Sequence, residues 1–221
     1  MPLKTCASVR IMPLFRLVLL FWLFISPAIA ADNLLQQADE QFQAISSYAA
    51  TLRSYGEAEQ IIIYRYKKPG YVRIDFVKPH KGVALVYRPD TGKVQLRPFG
   101  FSKLLTFSMK PTAKLVRSPA GRRVDESDIG VLLKNAQKLA QFGSLKVLRE
   151  ETVHQNTMIV LEITGKENVL VDGVHRYLLW LDSRLKLPRV VESYDNKNQL
   201  IEGLFIDDLI INLNFAEIFT L

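Results

Sequence analysis

Short runs of alternating apolar and polar residues are the feature that most constrains this fold. In residues 71–77, Val72, Ile74 and Phe76 fall on one face of an extended chain, and Arg73 and Asp75 fall on the other. Short turns such as residues 89–92 join neighbouring runs, which is typical of consecutive antiparallel strands. The predicted strands are residues 48–54, 59–66, 71–77, 83–88, 93–97, 144–150, 157–164, 174–183, 188–194 and 200–212.

Two stretches instead have helical spacing. Residues 31–46 and 126–142 carry apolar side chains at intervals of three and four, with Asp125 as the predicted N-terminal cap of the second helix and Gly143 as its end. The apolar stripe of the second helix comprises Ile129, Leu132, Leu133, Ala136, Leu139 and Ala140. The pattern predicts an α+β fold with a large antiparallel sheet of about ten strands and two or more helices.

The first thirty residues have the order of a secretory signal. Arg10 and Arg16 give a basic start, residues 17–25 are apolar without a break, and Ala28 and Ala30 are the small residues that precede a cleavage site. We expect cleavage after Ala30 and a periplasmic product, residues 31–221, forming one domain; a retained N-terminal anchor is the alternative. Ala31 follows the site, so the acylated cysteine of bacterial lipoproteins is not expected.

The charge and cysteine content exclude several classes. Removing Lys4, Arg10 and Arg16 from the 29 basic residues leaves 26 against 22 acidic ones, and a net charge of +4 does not argue for nucleic acid. The single cysteine, Cys6, would leave with the signal, so the mature chain has no disulfide, thiol nucleophile or thiolate metal ligand.

No catalytic or metal-binding motif stands out. His80, His154 and His175 lie far apart without a metal-ligand spacing, and there is no G-x-S-x-G elbow or glycine-rich phosphate loop. We therefore expect no enzyme activity, no cofactor and no metal.

Residues 98–124 interrupt the strand pattern. Their first part is apolar and is the predicted lid over the sheet, or alternatively a surface loop held by its aromatic residues. The predicted lid residues are Phe99, Phe101, Leu104, Leu105 and Phe107. Residues 110–123 are basic, which is compatible either with contact to anionic lipid headgroups or with a solvated loop.

Three stretches together resemble the LolA-like group of bacterial periplasmic proteins, which includes LolA, LolB, the RseB sensor domain and mycobacterial LppX. They are residues 66–76, with a basic residue and proline before an outgoing strand, residues 85–92, and the closing strands 179–182, 188–195 and 208–215. Residues 118–133 are more similar to an uncharacterised branch than to LolA. In LolA, the position of Lys68 is occupied by an arginine that belongs to the lid latch. Lysine cannot form the bidentate hydrogen bonds that an arginine side chain forms.

The resemblance implies an unclosed, strongly curved half-barrel whose concave apolar face holds acyl chains. The residues alone favour a solid core beneath the two helices, whereas the resemblance favours a cavity, and a one-residue shift in register would reverse every side chain. The predicted hydrophobic cavity residues are Val72, Ile74, Phe76, Val83, Leu85, Tyr87, Ile159, Leu161, Ile163, Tyr177, Leu179 and Leu181.

The resemblance further implies a carrier or chaperone for outer-membrane lipoprotein or lipid trafficking. Its expected partners are acyl chains and membrane-bound donor or acceptor proteins, and we expect a monomer that does not bind nucleic acid. The alternatives are a non-catalytic sensor or protein-docking module and, with no supporting motif, an exported hydrolase.

Overall fold

The computed structural model describes residues 27–56, 59–98, 105–153, 156–215 and 218–221, with side chains from Ala31 onward. The run at residues 17–25 lies outside them, so export and cleavage after Ala30 stay predictions. Within the described residues, no helix is long and apolar enough to cross a membrane.

In the part of the chain that the structure describes, eleven antiparallel strands form one sheet, which confirms the predicted α+β class. The strands are β1 (Ser47–Gly56), β2 (Gln60–Lys67), β3 (Tyr71–Lys78), β4 (Ala84–Arg88), β5 (Lys93–Arg97), β6 (Phe107–Met109), β7 (Gly143–Val153), β8 (Asn156–Gly165), β9 (Arg176–Asp182), β10 (Pro188–Tyr194) and β11 (Leu200–Ile211).

The sheet consists of two meanders joined along their long strands. Strands β1 to β6 run in sequence order in one direction, β7 to β11 run back in the other, and β1 pairs with β11. In this pairing Leu52 lies opposite Ile206, and Tyr48 lies opposite Ile211. Because β6 and β7 end the sheet without pairing to each other, the sheet is curved but not closed, as the half-barrel prediction requires.

Two helices cover part of this sheet: α1 (Pro27–Ala44) and α2 (Ile129–Gln141). Helix α1 packs on α2 and β7, and α2 packs on β7 and β8. At Gly130 the helices approach so closely that an added Cβ would lie 2.2 Å from a ring carbon of Phe42. The contacts of the helices with the sheet are thus concentrated on the β7–β8 side of the concave face.

The start of α2 differs from the prediction, whereas its end at Gln141, with Phe142 as the C-cap, lies just before Gly143 as predicted. Asp128, not Asp125, is the N-cap, and its Oδ1 accepts hydrogen bonds from the backbone N–H groups of Gly130 (2.7 Å) and Val131 (3.2 Å). Asp125 falls in a separate 3₁₀ turn, Val124–Glu126, and pairs with Arg123. Gly143 begins β7, where a Cβ would lie 1.9 Å from the Thr164 carbonyl oxygen, so it permits close strand approach.

The stretch between β5 and α2 contains more order than the sequence suggests. Strand β6 extends the sheet by one strand, and two 3₁₀ turns follow, Lys114–Val116 and Val124–Glu126. Val116 and Val124 are buried, with 1% and 4% of their surface exposed. These two side chains attach the irregular stretch to the concave face beside α2.

Candidate functional site: a cavity on the concave face

A cavity of about 160 Å³ lies between the sheet and the stretch that precedes α2. Its floor comes from β1 to β4, β10 and β11, and its roof from residues 116–135; we call the part of the roof that precedes α2, residues 116–128, the cover. The apolar side chains that line it include Leu52, Ile62, Ile74, Phe76, Leu85, Val191, Leu204, Ile206, Val116, Val124, Ile129, Val131 and Leu132. A mostly apolar, partly enclosed space is the usual form of a small-molecule site.

Alternation within the strands explains why this face is apolar. On β11, Leu204 and Ile206 point to the concave side together with Glu202, and on β10 Val191 does so together with Ser193. Glu202 is therefore a carboxylate placed on an otherwise apolar face. Such a group requires a partner, because an unpaired buried charge is costly.

Arg122 of the cover is that partner. Its Nε lies 2.9 Å from Oε2 of Glu202, its Nη2 donates to Oγ of Ser193 at 3.1 Å, and its Nη1 is 3.6 Å from Asp172. The Arg122 side chain is only 22% exposed. Burial would lower the pKa of Arg122, but the adjacent Tyr177 and Glu202 raise it, so the guanidinium stays charged. This contact joins the cover to β10 and β11.

A tyrosine stack attaches the other end of the cover. The rings of Tyr48, Tyr64 and Tyr66 form a stack centred on Tyr48, whose ring centroid lies 5.8 Å from that of Tyr64 and 5.2 Å from that of Tyr66. The Tyr48 hydroxyl accepts a hydrogen bond from the Ile129 backbone N–H at 3.2 Å, and the Tyr64 hydroxyl lies 3.2 Å from Oγ of Ser127. The first turn of α2 is thereby held above β1 and β2.

Burial keeps the three tyrosine hydroxyls neutral. It raises the pKa of Tyr48 and Tyr64, and raises the pKa of Tyr66 to about 12, so all three hydroxyls stay protonated. Burial also raises the pKa of Asp128, although hydrogen bonds from Val131 and Gly130 act in the opposite direction. Each of these groups has a structural role, and none of them forms a catalytic pair with another described residue of the cavity.

Lys68 binds the end of helix α1. Its Nζ donates to the backbone carbonyl oxygens of Phe42 (3.0 Å) and Gln43 (2.7 Å) at the end of α1. It also lies 5.1 Å from the centre of the Phe42 ring. A cation at a helix C-terminus is favourable, so Lys68 fixes α1 to the β2–β3 turn.

The twelve predicted cavity residues share one apolar cluster, but they occupy different places in it. Ile74, Phe76 and Leu85 line the cavity. Val72, Val83 and Tyr87 belong to the same cluster without lining it. The six residues on β8 and β9 are in the solid core with the helices: Ile159, Leu161, Ile163, Tyr177, Leu179 and Leu181.

Sequence reasoning missed the contribution of β1, β2, β10 and β11. Leu52, Ile62, Val191, Leu204 and Ile206 line the cavity because β1 pairs with β11, which brings the two ends of the chain together. Residues 202–206 gave no alternation that could mark the floor, because residues 204–206 are all apolar and the cavity-facing Glu202 is charged. No signal in the sequence pointed to the Arg122–Glu202 pair, because the two residues lie eighty positions apart.

The predicted lid falls partly outside the described residues, since Phe99, Phe101 and Leu104 are not among them. Leu105 and Phe107 are described; they are 56% and 51% exposed, and neither lines the cavity. The segment that the structure places over the concave face is the cover, with Val116 and Val124 turned inward.

The histidines also have ordinary surroundings where they are described. His175 Nδ1 is 3.0 Å from the Val169 carbonyl oxygen, and the His80 ring lies 6.2 Å from that of Phe76. His154 lies outside the described residues. Across the part of the chain that is described, no group of three or more His, Cys, Asp or Glu residues is arranged to hold a metal ion.

Comparison by sequence finds no matching family model and no matching curated protein. Solved structures do share the fold. LppX, a lipoprotein of Mycobacterium tuberculosis, superposes with a TM-score of 0.54 at 9% identity, covering 85% of this chain and 97% of LppX. An uncharacterised conserved protein from Thermus thermophilus gives 0.52 at 13% identity, covering 85% and 90%.

A third similar structure is the MucA/MucB complex of Pseudomonas aeruginosa. The TM-score is 0.52 at 20% identity, covering 85% of this chain but only 59% of the matched one. This chain therefore spans less than two thirds of that protein. LppX is one of the LolA-like proteins named above, so the resemblance found in the sequence is confirmed at the level of the fold.

Proposed function

We propose that this protein carries a hydrophobic ligand, the acyl part of a lipid or lipoprotein, in the concave cavity. The observation that carries the proposal is an apolar cavity roofed by an irregular segment that polar contacts attach to the sheet. Burial of an acyl chain supplies about 0.8 kcal/mol per methylene group, so affinity needs no catalytic machinery. Export to the periplasm, a single mature domain of residues 31–221, and exchange with membrane-bound partners are parts of this proposal.

The size of the cavity requires the cover to move. Sites for drug-sized ligands have volumes of about 300–1,000 Å³, whereas this cavity encloses about 160 Å³. In its present form it accommodates only a fragment of an acyl chain. Binding a whole chain thus involves displacement of residues 116–128 away from β10 and β11.

The Arg122–Glu202 pair then sets the balance between capture and release. Opening the cover separates Arg122 from Glu202, which costs free energy. Both charged groups then become hydrated, and this hydration offsets part of that cost. Closing it over a ligand restores the pair. A cover held by a few polar contacts and two inward valines can open without disrupting the helix-covered core.

A fluorescent apolar probe such as N-phenyl-1-naphthylamine tests the proposal, with displacement by palmitate. Phe76→Asp places a charge on the cavity floor, and we expect it to abolish probe binding because the ionised group must be desolvated. Val77→Asp is the matched control: Val77 is the next residue of β3, does not line the cavity and is 42% exposed. It should bind as the unchanged protein does.

The result of this binding experiment distinguishes a carrier from the other candidate functions. Equal binding by both folded variants would show that the cavity is not the site. No probe or palmitate binding by the folded unchanged protein would contradict the carrier function and favour a protein-docking module. Consumption of an ester or acylated substrate would instead favour the hydrolase.

A further inference from the structure

A long part of the chain carries cations without a single acid. Between Asp90 and Asp125 there are eight Lys and Arg residues and no Asp or Glu. The other residues of the chain are much more evenly balanced, since the whole sequence has 29 basic and 22 acidic residues. This asymmetry creates a local positive potential that the modest net charge conceals.

Residues 110–117 hold three of these eight cations, Lys110, Lys114 and Arg117, in a compact segment that we call the basic turn. The Ala113 N–H bonds to the Lys110 carbonyl oxygen at 3.0 Å, and the Arg117 N–H bonds to that of Lys114 at 3.3 Å. The Arg117 guanidinium bonds back to the Thr112 carbonyl oxygen through both Nε and Nη2, each at 3.2 Å. Pro111 and Val116 are buried, so the turn has a fixed base.

One large apolar side chain projects from this turn into solvent. Leu115 is 72% exposed, the largest value among the exposed large apolar residues described. Lys114 precedes it and Arg117 follows two residues later, and both are exposed together with Lys110. The strand leading into the turn exposes Phe107, and Leu105 just before it is exposed as well. Exposed leucine and phenylalanine surrounded by cations are the composition of a membrane-interface contact.

The lysines of the turn are available for a partner. Among the residues that the structure describes, neither Lys110 nor Lys114 forms an ion pair, whereas Arg122 and Arg123 do. Arg117 contacts backbone carbonyl oxygens and no carboxylate of the described chain. The unneutralised charge therefore belongs to Lys110, Lys114 and Arg117, and not to Arg122 and Arg123.

We propose that the basic turn docks the protein on an anionic bilayer surface, with Leu115 inserted between headgroups. A bilayer fits better than an acidic protein because the apolar side chain projects instead of lining a groove. Each Lys or Arg near such a surface contributes about 1 kcal/mol, and an inserted leucine adds hydrophobic transfer. This inference does not depend on the ligand carried in the cavity.

The basic turn is directly connected to the wall of the cavity. Val116 is a cavity wall residue with 1% exposure, and it directly follows Leu115, which points outward. One 3₁₀ turn thus presents neighbouring side chains to the cavity and to solvent. Docking on a bilayer brings the cover, the mobile wall in the proposed function, next to the membrane.

Vesicle sedimentation with the purified protein tests this proposal. We expect binding to vesicles of phosphatidylcholine mixed with phosphatidylglycerol, little binding to pure phosphatidylcholine, and loss of binding when sodium chloride is raised. The double variant Lys110→Gln/Lys114→Gln should lower the partition coefficient roughly 30-fold. Leu115→Ser should lower it about tenfold. All these side chains are exposed, so the variants should unfold at the same temperature as the unchanged protein.

Matched variants elsewhere make the test specific. Lys134→Gln/Lys138→Gln removes two exposed charges from α2, and Leu170→Ser removes an apolar side chain that is 47% exposed. Both should bind vesicles within about twofold of the unchanged protein. The proposal is overturned if the protein does not bind anionic vesicles, as expected for an acidic protein partner, or if the α2 variant loses as much binding as the basic-turn variant.

Discussion

The two halves of the concave face have similar floors but different roofs. On the β8–β9 side, Leu161, Ile163 and Leu179 are fully buried in the core that the helices cover. On the side formed by β1 to β4, β10 and β11, Ile62 and Leu204 are only partly buried beneath the cover. We call these the packed half and the hollow half.

The two roofs differ in how tightly they pack on the sheet. Helix α2 turns Leu133, Ala136 and Leu139 into the packed half, where a regular apolar stripe fills the space. The cover has no such stripe; it contributes two valines and several charged side chains. Loose packing is therefore built into the hollow half, and segments with few buried apolar contacts open at low free-energy cost.

Truncating one residue in each half should give the largest contrast. Leu161→Ala in the packed half should lower the free energy of unfolding by about 3 kcal/mol, because helices α1 and α2 cannot close the new cavity. Ile62→Ala in the hollow half should cost about 1 kcal/mol, because space is already present there. Urea denaturation measures both. Equal losses would mean that the two halves are packed alike.

Breaking the Arg122–Glu202 ion pair should have the next largest effect on the free energy of unfolding. Arg122→Gln leaves Glu202 without its cation, and we expect a loss of about 2 kcal/mol in unfolding free energy. The double variant Arg122→Gln/Glu202→Gln should regain most of it, since no unpaired charge remains. If the double variant is as unstable as the single one, the ion pair does not hold the cover.

A smaller, pH-dependent effect is expected at Asp128. Burial raises the pKa of Asp128 above its unfolded value, so the ionised carboxylate costs stability at neutral pH. Protonation removes that cost as the pH falls through the folded pKa. Asp128→Asn keeps the cap without the charge, so it should be more stable than the unchanged protein at pH 7 by up to about 1 kcal/mol.

That advantage should shrink as the pH falls towards the unfolded pKa of aspartate, because the folded state binds the proton more readily. Urea unfolding of both proteins at neutral and acidic pH measures the difference. Asp128→Ala, which loses the cap as well, should be less stable at pH 7 by about 1 kcal/mol. An Asn variant that is less stable at neutral pH but equal at acidic pH would show that the charge itself stabilises α2.

The strands were predictable because each is specified locally. Alternation in residues 71–77 and the turn at residues 89–92 depend only on neighbours in the sequence, and the bounds of β3, β4 and β5 agree closely with the predicted ones. The cap of α2 was misplaced because Asp125 and Asp128 are equally suitable in sequence. Only the tertiary contacts of Val124 decide that a 3₁₀ turn precedes the helix.

The floor and the roof of the cavity could not be predicted in the same way. Pairing of β1 with β11 joins the two ends of the described chain, such as Tyr48 and Ile211, and alternation does not specify which strands meet. Ile159 and Leu161 are apolar residues two positions apart, as Ile74 and Phe76 are, yet they lie in the packed half. Whether an apolar face becomes core or cavity depends on what covers it.

Hydrogen exchange, with and without palmitate, tests the central claim most directly: the hollow half opens beneath its cover while the packed half stays closed. We predict that palmitate changes the protection of peptides from residues 116–128 and leaves those from residues 157–164 unchanged. Peptides from residues 99–108 would show in the same experiment whether the predicted lid also responds. Bound palmitate with unchanged protection in residues 116–128, or an equal change in residues 157–164, would contradict the account.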